Sequence, residues 1–356
     1  MPAGQIKGRG AVSNRAGRFE SLAAVAVDDG WGILEEPLPP LETTVLPEPV
    51  SSVITRNNSP DLPFDQSINP YRGCEHGCVY CYARPSHAYV NLSAGLDFET
   101  RLFFKRDAAL RLREELNKRG YRCSPINLGA NTDPYQPLER RLGITRSLLE
   151  VLAECHHPVT IVTKSTLVLR DLDLLQALSV ERLLRVIVSV TTLDEELKRR
   201  MEPRAASPSA RLATVRRLAQ AGVPTGVMIA PVIPALNDHE LEGILEAAAA
   251  AGAQKAGYLL LRLPGEVRDL FYEWLEMHYP GRAARVRNRI RELRGGRDYD
   301  SRFGVRMRGQ GPWADLLRRR FEAACRRHGL EHGRGKPLET GLFRPPGHSP
   351  GQMELW

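Results

Sequence analysis

From residue 67 to residue 263 the chain alternates short apolar runs with longer segments in which apolar residues recur every three or four positions. The short runs at 67–69, 125–129, 158–163, 185–190, 224–231 and 255–263 predict strands, bounded by turn residues or charge. Helical periods separate them: 108–119, 143–156 with Leu148, Leu149 and Leu152 on one stripe, 169–178, 194–201, 209–221 closed by Gly222, and 238–251. Strict alternation of strand and helix argues parallel strands joined by right-handed helical crossovers. Six units are fewer than a closed eight-unit barrel needs, so the predicted fold is α/β, an open (β/α)6 partial TIM barrel over residues 66–270.

The flanks read differently. Residues 1–65 carry Pro37, Pro39, Pro40, Pro47 and Pro49, a density that discourages helix and central strand alike, and predict a poorly ordered arm pinned by Phe19 and Trp31. Beyond the core, a helix at 282–294 sets Val286, Ile290 and Leu293 on one stripe and Arg285 and Arg289 on another, and a second helix spans 313–327. Together they make 271–332 a basic helical C-terminal extension, followed by a flexible tail at 333–356.

Charge sharpens that division. The chain holds 50 Lys+Arg against 42 Asp+Glu, and residues 271–356 alone hold 18 against 10, so the net +8 belongs to the C-terminal region and the first 270 residues are balanced. Such clustering is the footprint expected of a nucleic-acid partner, or of a solvated arginine-rich face. No helix-turn-helix, zinc-finger or RNA-recognition pattern accompanies it, which directs any contact to phosphates or a flipped base. The 42% hydrophobic content suffices for a sizeable core. The absence of an 18-residue apolar run or a signal-peptide pattern sets the expectation of a cytoplasmic protein without membrane segments. Six cysteines without paired spacing agree with a reducing compartment.

The chemistry concentrates at Cys74, Cys78 and Cys81, three thiols within eight residues of an Arg- and Gly-rich loop. Soft sulfur ligands select zinc, copper(I) or an iron-sulfur cluster. A structural zinc site wants four ligands, and no second Cys-x-x-Cys pair exists; His76 or His87 would have to supply the fourth. Cys123, Cys155 and Cys325 are isolated and read as small buried hydrophobes. Three thiolates on a four-iron cluster would leave one iron open to chelation by a small molecule. Polar residues also recur at the C-terminal ends of consecutive strands, where parallel barrels place their active sites: Asn131, Thr132 and Asp133, then Lys164 and Ser165, then Ser189, Thr191 and Thr192.

The cysteine spacing, with Tyr80 just before the last cysteine, resembles the radical S-adenosylmethionine (SAM) superfamily. That resemblance implies one 4Fe-4S cluster on Cys74, Cys78 and Cys81, SAM chelated to its open iron, and reductive cleavage of SAM to a 5'-deoxyadenosyl radical, with flavodoxin or ferredoxin as a suitable electron source. Between residues 70 and 231 the likeness narrows to the spore photoproduct lyases, through Val79-Tyr-Cys-Tyr82, Thr132-Asp133, Val162-Thr-Lys164, Ser189 and Glu202-Pro203. By that likeness Tyr80, Asn131, Asp133, Lys164, Ser189 and Glu202 contact SAM, and Tyr80 and Tyr82 act catalytically in hydrogen relay. A lysine ammonium is a natural partner for the SAM carboxylate. One position departs: where the lyases carry a hydrogen-donating cysteine after the second strand, this chain has Ala130, which has no labile hydrogen. The resemblance therefore carries SAM cleavage over better than thymine-dimer splitting. The leading expectation is radical chemistry on DNA or another nucleic acid, as lyase-like repair or modification, with a protein or small-molecule substrate, or a non-catalytic metal-stapled DNA- or clamp-binding module, as alternatives. Finally, Gln352-Met-Glu-Leu-Trp356 resembles the pentapeptide that docks on bacterial sliding clamps, which makes Gln352, Met353, Leu355 and Trp356 candidate contacts for that partner.

Overall fold

The computed structural model describes residues 7–19, 41–333 and 335–347. Strands β1 (Thr44–Pro47) and β2 (Ile54–Arg56) precede β3 (Gln66–Ile68); β4 (Tyr71–Arg72) and β5 (Arg101–Phe104) flank the cysteine loop. There follow β6 (Ile126–Leu128), β7 (Val159–Thr163), β8 (Leu184–Ser189), β9 (Thr225–Val232) and β10 (Lys255–Leu260). The main sheet runs β10-β9-β8-β7-β6-β3-β2; its six strands from β3 to β10 are parallel, and β2 adds antiparallel to β3 at one edge. This is the six-unit open barrel expected, with one edge strand more.

Strand β7 shows why these residues form it. Val159, Ile161 and Thr163 are buried and alternate with half-buried Thr160 and Val162, the period of two that puts successive side chains on opposite faces. The crossover helices Ile144–Glu154, Leu172–Val180, Pro208–Gln220 and Leu241–Ala250 each bury one stripe against the sheet, for example Leu148, Leu149 and Leu152 on the first. Each fully buried Leu or Ile of this kind contributes about 1.5–3 kcal/mol relative to exposure.

Both flanks depart from expectation. The proline-rich segment 41–65 is not a poorly ordered arm there: β1 pairs with β5 at the edge of a small sheet ordered β1-β5-β4, where Pro47 is tolerated because an edge strand does not need every N–H. Residues 9–15 cross the cysteine-loop end of the barrel. Gly10 N and Ala11 N donate to the buried Glu99 carboxylate at 2.9 and 2.8 Å, and Ser13 Oγ reaches Glu273 at 2.6 Å. Trp31 lies outside the described residues, as does the Gln352–Trp356 motif.

The boundary at 270 falls inside an unforeseen helix, Val267–His278. Its Val267, Phe271, Trp274 and Leu275 pack with Cys78, Val79, Tyr80, Leu197 and Met201, so the extension is continuous with the site. Helices Pro280–Leu293 and Pro312–His328 match the expected basic pair. The second packs Phe321 on Tyr258 of β10 at 4.8 Å between ring centroids. Leu260 N donates to Met307 O at 3.0 Å and Ala256 N to Glu331 O at 2.8 Å, so the extension covers the open edge of β10. Part of the predicted flexible tail is anchored as well: Phe343 packs on Tyr121 and His157, and Arg344 N donates to Cys155 O at 2.9 Å.

A Cβ at Gly10 would overlap the Gly77 carbonyl oxygen of the cysteine loop, with backbone on both sides. Gly10→Ala is expected to destabilise the protein by about 1–3 kcal/mol, read as a lowered thermal midpoint. An unchanged midpoint would mean that segment 9–11 does not pack there.

Candidate active site

The cysteine loop leaves β4 and is held by backbone and amide contacts from elements distant in sequence. Cys74 N donates to Phe98 O at 2.9 Å, Glu75 N to Gln136 Oε1 at 3.0 Å and Val79 N to Met201 O at 3.1 Å; Gln136 Nε2 donates to Gly73 O at 3.2 Å. Arg84, fully buried, donates through Nε to Cys78 O at 2.9 Å and pairs with Glu99. Gly77 sits at φ +66° against Glu99, where a Cβ would stand 2.7 Å from a carboxylate oxygen. No side chain but hydrogen fits that turn.

The thiols of Cys74 and Cys78 are buried and that of Cys81 is half-buried. Burial, reinforced by Asp133 and the other two thiols, pushes Cys74 well up; burial and Glu202 push Cys78 up to about 12 against the opposing pull of Lys164. Thiols raised in this way, Cys74 and Cys78, ionise near neutral pH only when a cationic centre takes up their charge. Neither histidine completes a zinc site: His76 turns Nδ1 to Asp133 at 3.3 Å and His87 turns Nε2 to the Arg101 carbonyl at 2.9 Å. Among the described residues no three His, Cys, Asp or Glu side chains close on a single-ion centre. Three sulfurs from one loop without a fourth ligand fit a cluster with one open iron.

Beneath the loop lies a polar knot. Glu202, fully buried at the end of helix Glu195–Met201, accepts from the Tyr80 hydroxyl, from Thr191 Oγ1 at 2.7 Å and from Arg211. Arg211 also donates to Ser189 O at 3.0 Å and Ala206 O at 2.9 Å, tying the end of β8 to the helix that follows. Burial alone would raise the Glu202 carboxyl, but Arg211, Lys164 and the donated hydrogen bonds hold it at about 2. Asp133 is engaged in the same way: it accepts from Thr163 Oγ1 at 2.7 Å, Lys164 N at 2.7 Å and Tyr135 N at 2.9 Å. Burial opposes its charge, and His76 with these donors brings it down to about 2. Glu202 and Asp133, expected as cofactor contacts, thus both accept hydrogen bonds from the protein's own donors.

Two expected residues are differently placed. Ser189 is buried, and its Oγ has no hydrogen-bond partner among the described residues. Lys164 is half-buried with Nζ 5.9 Å from the Tyr80 ring centre and no carboxylate at ion-pair distance among the described residues. Burial lowers its pKa, yet Cys78 and Glu202 more than offset this and the value is raised, so the ammonium stays charged. An orphaned buried hydroxyl and an ammonium whose charge Cys78 favours are groups a bound SAM could use. Asn131 is exposed at the rim, its backbone N–H donating to Asn69 Oδ1 at 2.7 Å.

At the mouth, Tyr82 is 41% exposed and donates its hydroxyl to the carbonyl of Ala130. Arg262, just after β10, lies over the Tyr82 ring at 4.7 Å from its centre, without a carboxylate at ion-pair distance among the described residues. Sequence reasoning passed over Arg262, although the same strand-end rule that singled out Lys164 and Ser189 reaches it. Arg211, Arg84 and Glu99 carried no local signal, because their pairing arises only in the folded chain. In the basic extension, Arg287, Arg289, Arg291, Arg302, Arg306, Arg318 and Arg320 are paired with carboxylates, whereas exposed Arg282, Arg285, Arg297, Arg308, Arg319, Arg326 and Arg327 are not, among the described residues.

The radical SAM superfamily model matches residues 68–248. An uncharacterized protein of Mycobacterium tuberculosis is 39% identical over 236 residues, 66% of this chain and 69% of that protein. A mutant of spore photoproduct lyase superposes with a TM-score of 0.59 at 16% identity over 81% of each chain. Spore photoproduct lyase complexed with dinucleoside spore photoproduct superposes with a TM-score of 0.58 at 17% identity, again over 81% of each chain. At these identities the two structures show a shared fold.

The folded-state Glu202 carboxyl lies below its unfolded value, so its contribution to stability is complete above about pH 4.5 and is lost as pH falls toward about 2. Glu202→Gln leaves Arg211 buried without its counter-charge and is expected to cost about 3–5 kcal/mol at neutral pH. Denaturant titrations should show wild type losing stability between pH 4.5 and 2 more steeply than the variant; parallel curves would remove Glu202 from the acid response.

Proposed function

The chain belongs to the radical SAM superfamily, and from that premise we propose that it directs radical chemistry at a nucleic acid, as a repair or modification enzyme of lyase type. As a radical SAM enzyme it uses a 4Fe-4S cluster and SAM, which when bound supply a 5'-deoxyadenosyl radical that abstracts hydrogen from the substrate. A purely structural metal staple is thereby set aside.

In this reading Cys74, Cys78 and Cys81 hold the cluster. Lys164 offers its ammonium to the SAM carboxylate, and Ser189 gives its unpartnered hydroxyl to a neighbouring polar group of the cofactor. Tyr80, fixed by Glu202, walls the cofactor on one side, with its ring rather than its hydroxyl available. Tyr82 is the hydrogen donor nearest the mouth, since Ala130 offers only its carbonyl. The fold, the 18-to-10 charge excess of residues 271–356 and the dinucleoside ligand of the lyase complex that shares this fold all favour a nucleic-acid substrate. The observation that carries the reading is Arg262 stacked on the exposed Tyr82 ring: an aromatic face with an unpaired cation suits a base with its phosphate. Free cysteines throughout suit a reducing cytoplasm, with flavodoxin or ferredoxin as reductant.

Anaerobically reconstituted protein with SAM and dithionite is expected to form 5'-deoxyadenosine faster when damaged or modified nucleic acid is supplied, and Cys78→Ala to form none. Indifference to every nucleic acid, with acceleration by a peptide or small molecule, would move the substrate to another class. Ser189→Ala should keep the thermal midpoint, because it removes no hydrogen bond within the protein, while weakening SAM binding about tenfold or more. Unchanged SAM affinity would remove Ser189 from the cofactor site.

A further inference from the structure

We propose that a line of arginine-capped aromatic rings leading outward from the cysteine loop is a stacking track for single-stranded nucleic acid. The proposal rests on the reading of the substrate as nucleic acid and specifies the form in which it arrives.

The inner station is Tyr82 beneath Arg262. Directly after it, the 3-10 segment Arg84–Val90 buries Arg84, His87 and Ala88, and its half-buried Pro85 lies near the turn after β10, where a Cβ added at Gly265 would stand 3.8 Å from Pro85 Cγ. The segment delivers Tyr89, 71% exposed, to the outer station. There Phe19, 55% exposed, lies 5.8 Å from Tyr89 between ring centres, and the Arg18 guanidinium sits 5.4 Å from the Phe19 ring and 5.8 Å from the Tyr89 ring. Arg18 is itself fixed by Pro85 O at 3.4 Å and Glu266 at 3.2 Å. A cavity of about 520 Å³ lies beside this station, lined by Arg18, Leu263, Gly265 and Tyr299 among others. Its acidic wall residues Glu266, Asp269 and Asp298 are paired with Arg18 at 3.2 Å, Arg268 at 2.8 Å and Arg291 at 2.8 Å.

Large aromatics left this exposed in a short stretch next to an active site call for a partner. Each ring has an arginine to one side and solvent on another, the arrangement that stacks bases without reading their sequence. The occupant must be unpaired, because a duplex hides its base faces within its own stack. Seven residues of 3-10 backbone advance about 14 Å, or about four stacked-base rises of 3.4 Å, so the two stations would hold different nucleotides of one strand.

The test is fluorescence anisotropy of a labelled thymine oligonucleotide binding to the reconstituted full chain, with iron content and thermal midpoint measured on every variant. Tyr89→Ala and Arg18→Gln should each weaken binding about fivefold to a hundredfold, and Tyr89→Phe should bind as wild type. Wild-type affinity in Tyr89→Ala, with loss in the double variant Arg326→Gln and Arg327→Gln, would place the strand on the basic helix and overturn the track. Failure of wild type to bind any single strand would also overturn it. Duplex-stimulated 5'-deoxyadenosine formation would then leave the nucleic-acid reading standing, and lack of stimulation by any nucleic acid would take both down.

Discussion

The barrel mouth depends on the buried pair of Glu202 and Arg211. One carboxylate joins the cysteine loop through Tyr80, the end of β8 through Thr191, and the following helix through Arg211, which itself grips the Ser189 carbonyl. Desolvating two charges is expensive, and an apolar replacement of similar shape would often be as stable, so stability alone is a poor reason for the pair. Its return is positional: three elements meet at one point, and Ser189 has its carbonyl held while its buried hydroxyl is left without a partner among the described residues.

A second buried pair, Glu99 with Arg84, does the same on the outer side of the loop. Arg84 fixes the Cys78 carbonyl, and Glu99 accepts the backbone of Gly10 and Ala11 as well. The polar interior is thus spent chiefly around a loop that cannot hold itself, since three neighbouring thiolates repel one another until a metal centre is present. The N-terminal segment is consequently part of the site's support, through glycines that permit backbone to approach backbone at Gly10 and Gly77.

This division explains what was legible in the sequence. The six parallel strands and their helices came from periodicity, and the observed limits lie within a few residues of those read, because burial on a sheet imposes its period on any chain. Helix Val267–His278 was equally periodic, with Val267, Leu270, Phe271, Trp274 and Leu275 on one face, but a domain line drawn at 270 cut through it. Strands β1 and β2 were obscured by prolines that an edge tolerates. At the site, strand-end position singled out Lys164 and Ser189, which have no carboxylate and no hydroxyl partner respectively among the described residues, and also Asp133, which like Glu202 accepts from internal donors. Residue type and strand position cannot distinguish a carboxylate waiting for a ligand from one already saturated by donors far away in sequence.

Charge counting meets the same difficulty. The +8 of residues 271–356 reads as a nucleic-acid surface, yet Arg287, Arg289, Arg291, Arg318 and Arg320 each face a carboxylate, and Arg320 with Glu242 staples the last helix to the barrel. An exposed arginine in such a pair gains little stability and gives little net field to a distant phosphate. An arginine without a carboxylate partner keeps its field, and Arg262 is one among the described residues although it lies in the neutral part of the chain. Lying against an aromatic face spares it much of the competition with water that weakens a free surface arginine. The exposed arginines of the extension that face no carboxylate at ion-pair distance among the described residues, Arg282, Arg285, Arg297, Arg308, Arg319, Arg326 and Arg327, and the arginine set on Tyr82 are therefore distinguished by their neighbours, which net charge does not report.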